Sequence, residues 1–484
     1  MTDSALDARK RWLALMVLCL GELMIVLDTT IVNVALPSIR QDLAFTETSL
    51  VWVVNAYMLT YGGFLLLGGR LGDLYGQRRM FLAGLAFFTL ASLACGLANS
   101  QGLLVVARAV QGLGGAVVSA VALSLIMNLF TDAAGRAKAM GVFGFVCAGG
   151  GSIGVLLGGL LTSSLSWHWI FLVNLPIGVA VYALCVALID KDQPAAGGKL
   201  DVAGAITVTT SLMLAVYAVV GGNEAGWTSP LTLSLLGAAA LLLAAFIAIE
   251  ARVAHPLMPL KLFKLRNVAT ANVAGVLWAA AMFAWFFISA LYLQLVLGYD
   301  AMQVGLAFLP SNLIMAVLSL GVSAKIVMRW GIRGPLAAGL AVAAIGLALF
   351  ARAPVDGNFW IDVLPGMLLL GVGAGIAFNP LLLAAMSDVG PSESGLASGV
   401  VNTAFMMGGA LGLAVLASAA AARTTALLEA GATQAAALNG GYQLAFGLGA
   451  ACAALAAVLG VVFMRIQPQQ ADGANGGQPD SAVH

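Results

Sequence analysis

Three ionisable side chains sit inside long apolar runs. Glu22 and Asp28 interrupt the stretch "GELMIVLDTTIVNVALP" (21–37), and Arg108 opens "RAVQGLGGA" (108–116). A charge near the middle of a bilayer costs roughly 3 kcal/mol or more, so such groups must face protein, water or one another. The chemistry open to them is the binding of protons and cations. Burial favours the neutral form of a carboxyl group and a nearby arginine favours the charged form, so a carboxylate between the two can load and release a proton. When charged, it can also hold a cationic solute, and the two ligands then compete for one site. Glu22 and Asp28 are about 9 Å of rise and a turn of about 240° apart on a helix, so they are not a close acid pair. Glu22 has a second reading, as a residue near a helix end that reaches water. For Asp28 the second reading is a buried structural hydrogen bond. Arg108 has Asp28, Glu22 or Gln111, one turn on, as candidate partners, or else backbone carbonyls.

The elements that must position these groups follow from composition. Of 484 residues, 61% are hydrophobic and 9% charged, against about 25% charged in soluble domains. Repeated apolar stretches of about 20 residues mean an all-α polytopic membrane protein. A net charge of +1 gives no electrostatic case for nucleic acid. The cysteines (Cys19, Cys95, Cys147, Cys185 and Cys452) all lie in apolar runs without metal-ligand spacing and read as packing residues. The first apolar run is too long for a signal-peptide core and has no convincing cleavage site, so it reads as a retained helix.

Fourteen spans are expected: 12–38, 48–68, 80–98, 103–127, 137–161, 168–189, 202–221, 231–249, 268–294, 303–322, 334–352, 361–385, 395–420 and 442–465. An even number puts both termini on one side. That side then collects 18 of the 22 basic residues, from Arg9 to Arg465, while Arg40, Arg352 and Arg423 fall on the other and Arg108 lies within a span. The asymmetry marks the termini as cytoplasmic. The loop 251–267 reads as a short basic segment on the membrane surface. The tail 466–484 is polar and Gly-rich and reads as disordered.

Two loops resemble each other. "GRLGDLYGQRR" (69–79) and "AKIVMRWGIR" (324–333) align when Gly76 meets Gly331 and Arg78 meets Arg333. The second copy comes eight helices after the first, the offset of six helices plus two inserted ones. Parallel repeats of this kind build many secondary transporters. The expected organisation is a cytoplasmic N-terminus (1–11), a six-helix bundle (12–189), a two-helix central insertion with its basic loop (190–266), a second six-helix bundle (267–465) and the tail (466–484).

Several segments, in order, resemble the major facilitator superfamily and its fourteen-helix drug:proton antiporter branch. "GRLGDLYGQRR" is similar to the superfamily loop signature and "RAVQGLGGA" to its fourth-helix signature. "GSIGVLLGG" (151–159), with Gly150 before it, is similar to the fifth-helix antiporter signature. "LDTTIVNVALP" (27–37) and "SWHWIFLVNLPIG" (166–178) resemble signatures of the first and sixth helices. "ARVAHPLMPLKLF" and "SGLASGVVNTAFMMGGALG" carry thinner matches in the second half. There are departures: Val155 follows Gly154 where the family usually has Pro, His168 stands between two Trp where Arg is common, and Met328 replaces Asp73 in the second loop copy.

The resemblance implies proton coupling at Asp28, which matches the first-helix signature, with Glu22 as the other candidate and Arg108 tuning the carboxylate. It implies conformational gating by Gly69, Asp73, Gly76, Arg78 and Arg79. Gly150, Gly154 and Gly158 recur every four residues and, with Gly159, form a face that lets another helix approach closely. Polar groups within spans (Asn33, Asn55, Tyr57, Gln111, Tyr292, Gln294, Asn312, Asn379 and Asn402) are candidates for a substrate cavity, because amides facing lipid are costly. Trp278, Trp285, Phe286 and Phe287, with Met406 and Met407, offer an adaptable apolar wall.

Other functions fit less well. A nucleotide-driven pump needs Gly-x4-Gly-Lys-Ser/Thr, but around "GGKL" (197–200) Gln193 takes the first Gly position and Leu200 follows Lys199. No clustered nucleophile, acid pair or metal set indicates an enzyme or a cofactor, and His168 and His255 read as loop residues. Two functions remain. One is export of small lipophilic drugs, antibiotics or related toxic compounds in exchange for protons, by a monomer in the cell membrane. The alternative is a proton-linked or facilitative transporter of a polar metabolite on the same fold.

Overall fold

The computed structural model describes residues 3–130, 133–189, 201–253, 256–386, 389 and 394–464. The expected tail 466–484, Lys191, Lys199, His255 and Arg465, and the side chains of Arg136 and Cys147, lie outside the described residues.

All regular structure among the described residues is helical. The first half contains α1 (Asp3–Leu43), α2 (Glu47–Tyr75), α3 (Gln77–Gly96), α4 (Gln101–Leu129), α5 (Ala133–Ser164), the short α6 (Trp169–Leu172) and α7 (Asn174–Leu188). An apolar pair follows, α8 (Val202–Ala225) and α9 (Pro230–Glu250). The second half contains α10 (Arg266–Leu291), α11 (Ala301–Val317), the short α12 (Ser323–Trp330), α13 (Arg333–Phe350), α14 (Leu364–Met386), α15 (Ser394–Glu429) and α16 (Gln434–Phe463). Twelve helical spans among the described residues are long and apolar enough to cross a membrane, α6 and α7 together making one of them. The remaining two expected spans fall on α5, of 32 residues, and on α11 with the π-turn Leu318–Val322 that continues it.

Helix boundaries have local causes. Thr46 and Ser49 form a reciprocal capping box at the start of α2, and Asp300 and Gln303 do the same for α11. Ser229 caps α9 and is followed by Pro230 at the first helical position. Gly76 (φ +95°) turns α2 into α3, and Gly331 (φ +73°) turns α12 into α13. These are the two glycines that the loop repeat aligns, and each holds a backbone conformation that L side chains avoid. In the basic loop, Leu262 is buried beside Val268, Ala397 and Val400 while Lys261 and Lys264 are exposed.

The repeat extends to packing. In the first half α1 packs on α5 and α7, α2 on α4, and α3 on α4 and α7. In the second half α10 packs on α15 and α16, α11 on α14, and α13 on α14 and α16. These are the same pairs in the same order. The halves meet where α2 lies on α15 and where α5 lies on α11, so each half offers its second and fifth long helix. The α8–α9 pair stands beside one of these seams, with α8 touching both α2 and α15.

The glycine face of α5 does what its spacing requires. A Cβ on Gly154 would lie 3.1 Å from the Leu27 carbonyl of α1, and one on Gly158 would lie 2.7 Å from that of Ile31. On Gly150 it would lie 2.9 Å from Val26 Cγ1. Gly159 faces the other way, 2.8 Å by the same measure from the Ala301 carbonyl of α11. Gly149, by contrast, has open space. Gly158→Val is therefore expected to destabilise the purified protein by about 1–3 kcal/mol through overpacking, while Gly149→Val leaves its thermal midpoint nearly unchanged. Equal midpoints for the two variants would mean that the α1–α5 seam is not tight.

Candidate functional site

The middle of the first half holds a closed polar cluster. Arg108 on α4 is 1% exposed, and Asp28 on α1 is fully buried. Their side chains form an ion pair between Arg108 Nη1 and Asp28 Oδ2. Arg108 Nη1 also donates to Gln111 Oε1 at 2.6 Å, and its Nε donates to the Val53 carbonyl of α2 at 2.9 Å. The other Asp28 oxygen accepts from Gln111 Nε2 at 2.6 Å and from Asn174 Nδ2 of α7 at 3.2 Å. Gln111 Nε2 reaches Ser92 Oγ of α3 at 2.7 Å. The guanidinium lies over the Tyr57 ring, 4.4 Å from its centroid, with Phe171 on another side at 5.6 Å. Charge-assisted bonds from several donors satisfy a carboxylate that would otherwise be costly to bury.

Of the partners the sequence allowed Arg108, Asp28, Gln111 and a backbone carbonyl are all engaged at once. Glu22 is not among them. It lies in the middle of the 41-residue α1, because the helix begins well before the apolar run does. The reading of Glu22 as a residue near a helix end does not survive this. It is 7% exposed, its Oε2 has no hydrogen-bond partner, and Ser119 lies beside it. The Tyr57 hydroxyl, also buried, has no partner either. Among the described residues, the first half thus contains one fully compensated buried carboxylate and one buried carboxylate that lacks a counter-charge.

Other sequence candidates take varied places. Asn55 Nδ2 donates to the Ala410 carbonyl at 2.9 Å, and Gln294 Nε2 donates to that of Val34 at 2.9 Å. Both bonds tie the halves together. Asn33 bonds to its own helix, at the Thr29 carbonyl, 3.2 Å away. Asn379 donates to the Ser319 carbonyl at 2.8 Å, and Tyr292 donates to that of Pro354 at 2.8 Å. Asn312 is 1% exposed, with neither amide atom partnered. Asn402 is half-buried. Elsewhere in the second half, Trp285, Phe286 and Phe308 cluster with ring centroids 4.4–5.8 Å apart. Trp278, Trp285 and Phe287 are buried. Met406 and Met407 pack on Gly62 of α2, and Met407 also joins Val208 and Phe246 of the α8–α9 pair.

In the loop signature, Gly69 is half-buried and Gly76 is buried at its turn. Asp73 and Arg79 are exposed. Arg78 Nη2 donates to the Val186 carbonyl of α7 at 2.8 Å. His168 stacks on Trp167, whose Nε1 donates to Asp42 at 2.9 Å. Sequence reasoning missed Ser92 and Asn174. Asn174 lies inside the quoted "SWHWIFLVNLPIG" and is its one amide side chain; that was the available signal.

Comparison with known proteins agrees with this architecture. The Major Facilitator Superfamily profile matches residues 18–413. A puromycin resistance protein of Streptomyces alboniger is 38% identical over 469 residues, covering 96% of this chain and 93% of that one. A cephamycin export protein of Amycolatopsis lactamdurans is 40% identical over 407 residues (83% and 84%). A multidrug resistance protein of Mycobacterium tuberculosis is 36% identical over 421 residues (87% and 78%). Among solved structures, an auto-inhibited peptide transporter of the POT family superposes with a TM-score of 0.66 at 18% identity, covering 94% of this chain and 98% of that one. The chain belongs to the Major Facilitator Superfamily.

The ion pair sets an energetic expectation. Asp28→Asn leaves Arg108 buried without a counter-charge and should lower stability by about 3–5 kcal/mol, whereas Asp28→Leu with Arg108→Met should lose much less than the sum of the single changes. The test is a double-mutant cycle on thermal unfolding in detergent; additive losses would mean that the pair does not act as a unit.

Proposed function

We propose that this major facilitator is a secondary active transporter that exports small lipophilic drugs or antibiotics in exchange for protons by alternating access. Relatives named for puromycin, cephamycin and multidrug resistance or export, each matched over most of its length, support efflux. The observation that carries proton coupling is Glu22: a carboxyl group buried at the centre of the first half, without a counter-charge. It can take up a proton, or hold a cationic solute, without breaking an ion pair. Asp28 already holds Arg108, so a proton or a cation there would have to displace that ion pair. On this reading Glu22 exchanges the proton, and the Asp28–Arg108 pair anchors the helices around it.

A solute between the two halves would meet a different surface from each. On one side are Tyr57 and Glu22. On the other are the aromatic cluster of α10 and α11 and the unpartnered amide of Asn312. Few charges and large rings suit lipophilic compounds better than a polar metabolite. Asn33, Asn55, Gln111, Gln294, Asn379 and Asn402 belong to this reading as supports: Asn55, Gln111, Gln294 and Asn379 tie separate segments together, while Asn33 bonds within α1. Gly69, Asp73, Gly76, Arg78 and Arg79 form the gating loop, Gly150, Gly154 and Gly158 form the α5 packing face toward α1, and Gly159 packs toward α11. The chain works as a monomer, without a cofactor or a catalytic step. It sits in the plasma membrane with both termini cytoplasmic, in keeping with the distribution of basic residues. Its parts are those expected from the sequence, 12–189 and 267–465 as bundles and 190–266 as the insertion.

In proteoliposomes, a lipophilic cation should drive proton movement through the wild-type protein. Glu22→Gln should abolish that movement while the protein still reconstitutes and keeps a wild-type melting point. Proton flux that survives Glu22→Gln would return the role to Asp28. Uptake of a polar solute, with no response to any lipophilic cation, would favour the metabolite alternative. A second expectation concerns gating: Asp73→Asn should slow turnover by about tenfold, or about 1.4 kcal/mol in the barrier, with little change in thermal midpoint. An unchanged turnover would remove Asp73 from the gate.

A further inference from the structure

The inserted pair carries a second set of carboxyl groups that the transport reading does not use. Asp201 caps α8, its Oδ1 accepting from Gly204 N at 2.8 Å. Glu250 closes α9, its Oε2 accepting from Met258 N at 3.0 Å. The other two oxygens, Asp201 Oδ2 and Glu250 Oε1, are buried and have no hydrogen-bond partner. The residues are 5% and 3% exposed. Both oxygens converge on one spot: a Cβ built on Gly204 would lie 2.6 Å from the first and 2.7 Å from the second. Glycine at this position leaves the gap in which the two carboxyl groups meet.

Two ionised carboxylates cannot face each other at such a place without a large penalty, but a pair that shares one proton can. The backbone fixes which oxygens share it. One oxygen of each group already accepts an N–H, so the proton lies between the remaining two. Helix dipoles favour keeping the negative charge on Asp201, at the N-terminus of α8, over Glu250, at the C-terminus of α9. We infer that Asp201 and Glu250 form a proton-binding site in which the Glu250 carboxyl donates to Asp201 Oδ2 and clasps α8, α9 and the segment around Met258 together. Uptake protonates a carboxylate oxygen and release returns the proton to water; no other bond changes.

Among the described residues, no basic side chain is one of the groups that act on Glu250. Glu250 is the one ionisable residue of α9, and Tyr217 and Glu224 lie near the far end of α8. Arg252, Lys261 and Lys264 on the following segment, and Arg70 and Asp73 on α2, are exposed. On α15, Arg423 and Glu429 lie at the far end. Asp201 is the ionisable group that acts on Glu250. The clasp rests on α2, where Leu257 and Ala205 are buried against Leu67 with Leu71 beside them, next to the loop signature. It is closed at low pH. As pH rises and the shared proton leaves, two like charges repel and the segment at Met258 is released.

Hydrogen exchange on the full chain in detergent tests this, because Met258 N–H is itself part of the clasp. In Glu250→Gln an amide donates to Asp201 Oδ2 at every pH, and in Asp201→Asn an amide donates to Glu250 Oε1. All three proteins should protect the 256–260 peptide equally near about pH 6, and near about pH 8.5 the wild type should exchange about tenfold faster than either variant, after correction for intrinsic rates. Should Glu250→Gln fail to fold, Asp201→Asn carries the comparison. Equal protection in all three across the range would overturn the proposal. So would a response that follows Na+ or K+ concentration instead of pH, or one abolished by His255→Gln. The readout is independent of transport, so its outcome and that of the exporter reading are separable.

Discussion

The first half of the molecule is organised by a single buried arginine. A guanidinium out of water needs an anion and several acceptors, and Arg108 collects them from three helices. It takes Asp28 from α1, the Val53 carbonyl from α2 and Gln111 from its own α4. Asp28 in turn needs donors for its second oxygen and finds Gln111 and, on α7, Asn174. Ser92 on α3 closes the set. Each group satisfies a need created by another, so removing one partner strands the rest. The cluster therefore fixes the relative positions of five helices more narrowly than apolar packing would, since helices in lipid gain little from apolar contact with one another.

The second half has the same helix pairing without this centre. Its corresponding helices meet through aromatic rings and through glycines such as Gly339 and Gly373, which bring α13 and α14 backbone to backbone. Both halves use glycine seams and buried amides, but the buried ion pair lies in the first and the Trp285–Phe286–Phe308 cluster in the second. That division suits a transporter that must bind many lipophilic compounds and still respond to a proton.

Much of this was legible in the sequence, and the reasons differ by feature. The helices were legible because apolar runs in lipid have few alternatives to helix. The loop repeat was legible because Gly76 and Gly331 need the same unusual backbone angle. Three possible partners for Arg108 could be named, but spacing alone could not choose between Asp28 and Glu22. That choice depends on rotation about the axis of α1 relative to α4. The second reading of Glu22, as a residue near a helix end, fails because the helix runs on through the polar residues from Asp3 to Arg11, beyond the apolar run. Ser92 and Asn174 gave little warning, since a serine or an asparagine in a helix more often bonds its own backbone, as Asn33 does. Asp201 and Glu250 stand 49 positions apart and come together only once α8 and α9 fold back on each other.

The inserted hairpin has a mechanical consequence. The two seams between the halves are equivalent by the repeat, α2 on α15 and α5 on α11, yet α8 lies along only the first. The side chain of Asn223 on α8 even donates to Ser418 of α15, at 2.9 Å. A helix fastened across one seam and absent from the other breaks the equivalence between them. Rocking of the halves then has a stiff edge and a free edge, as a door has a hinge side and a latch side.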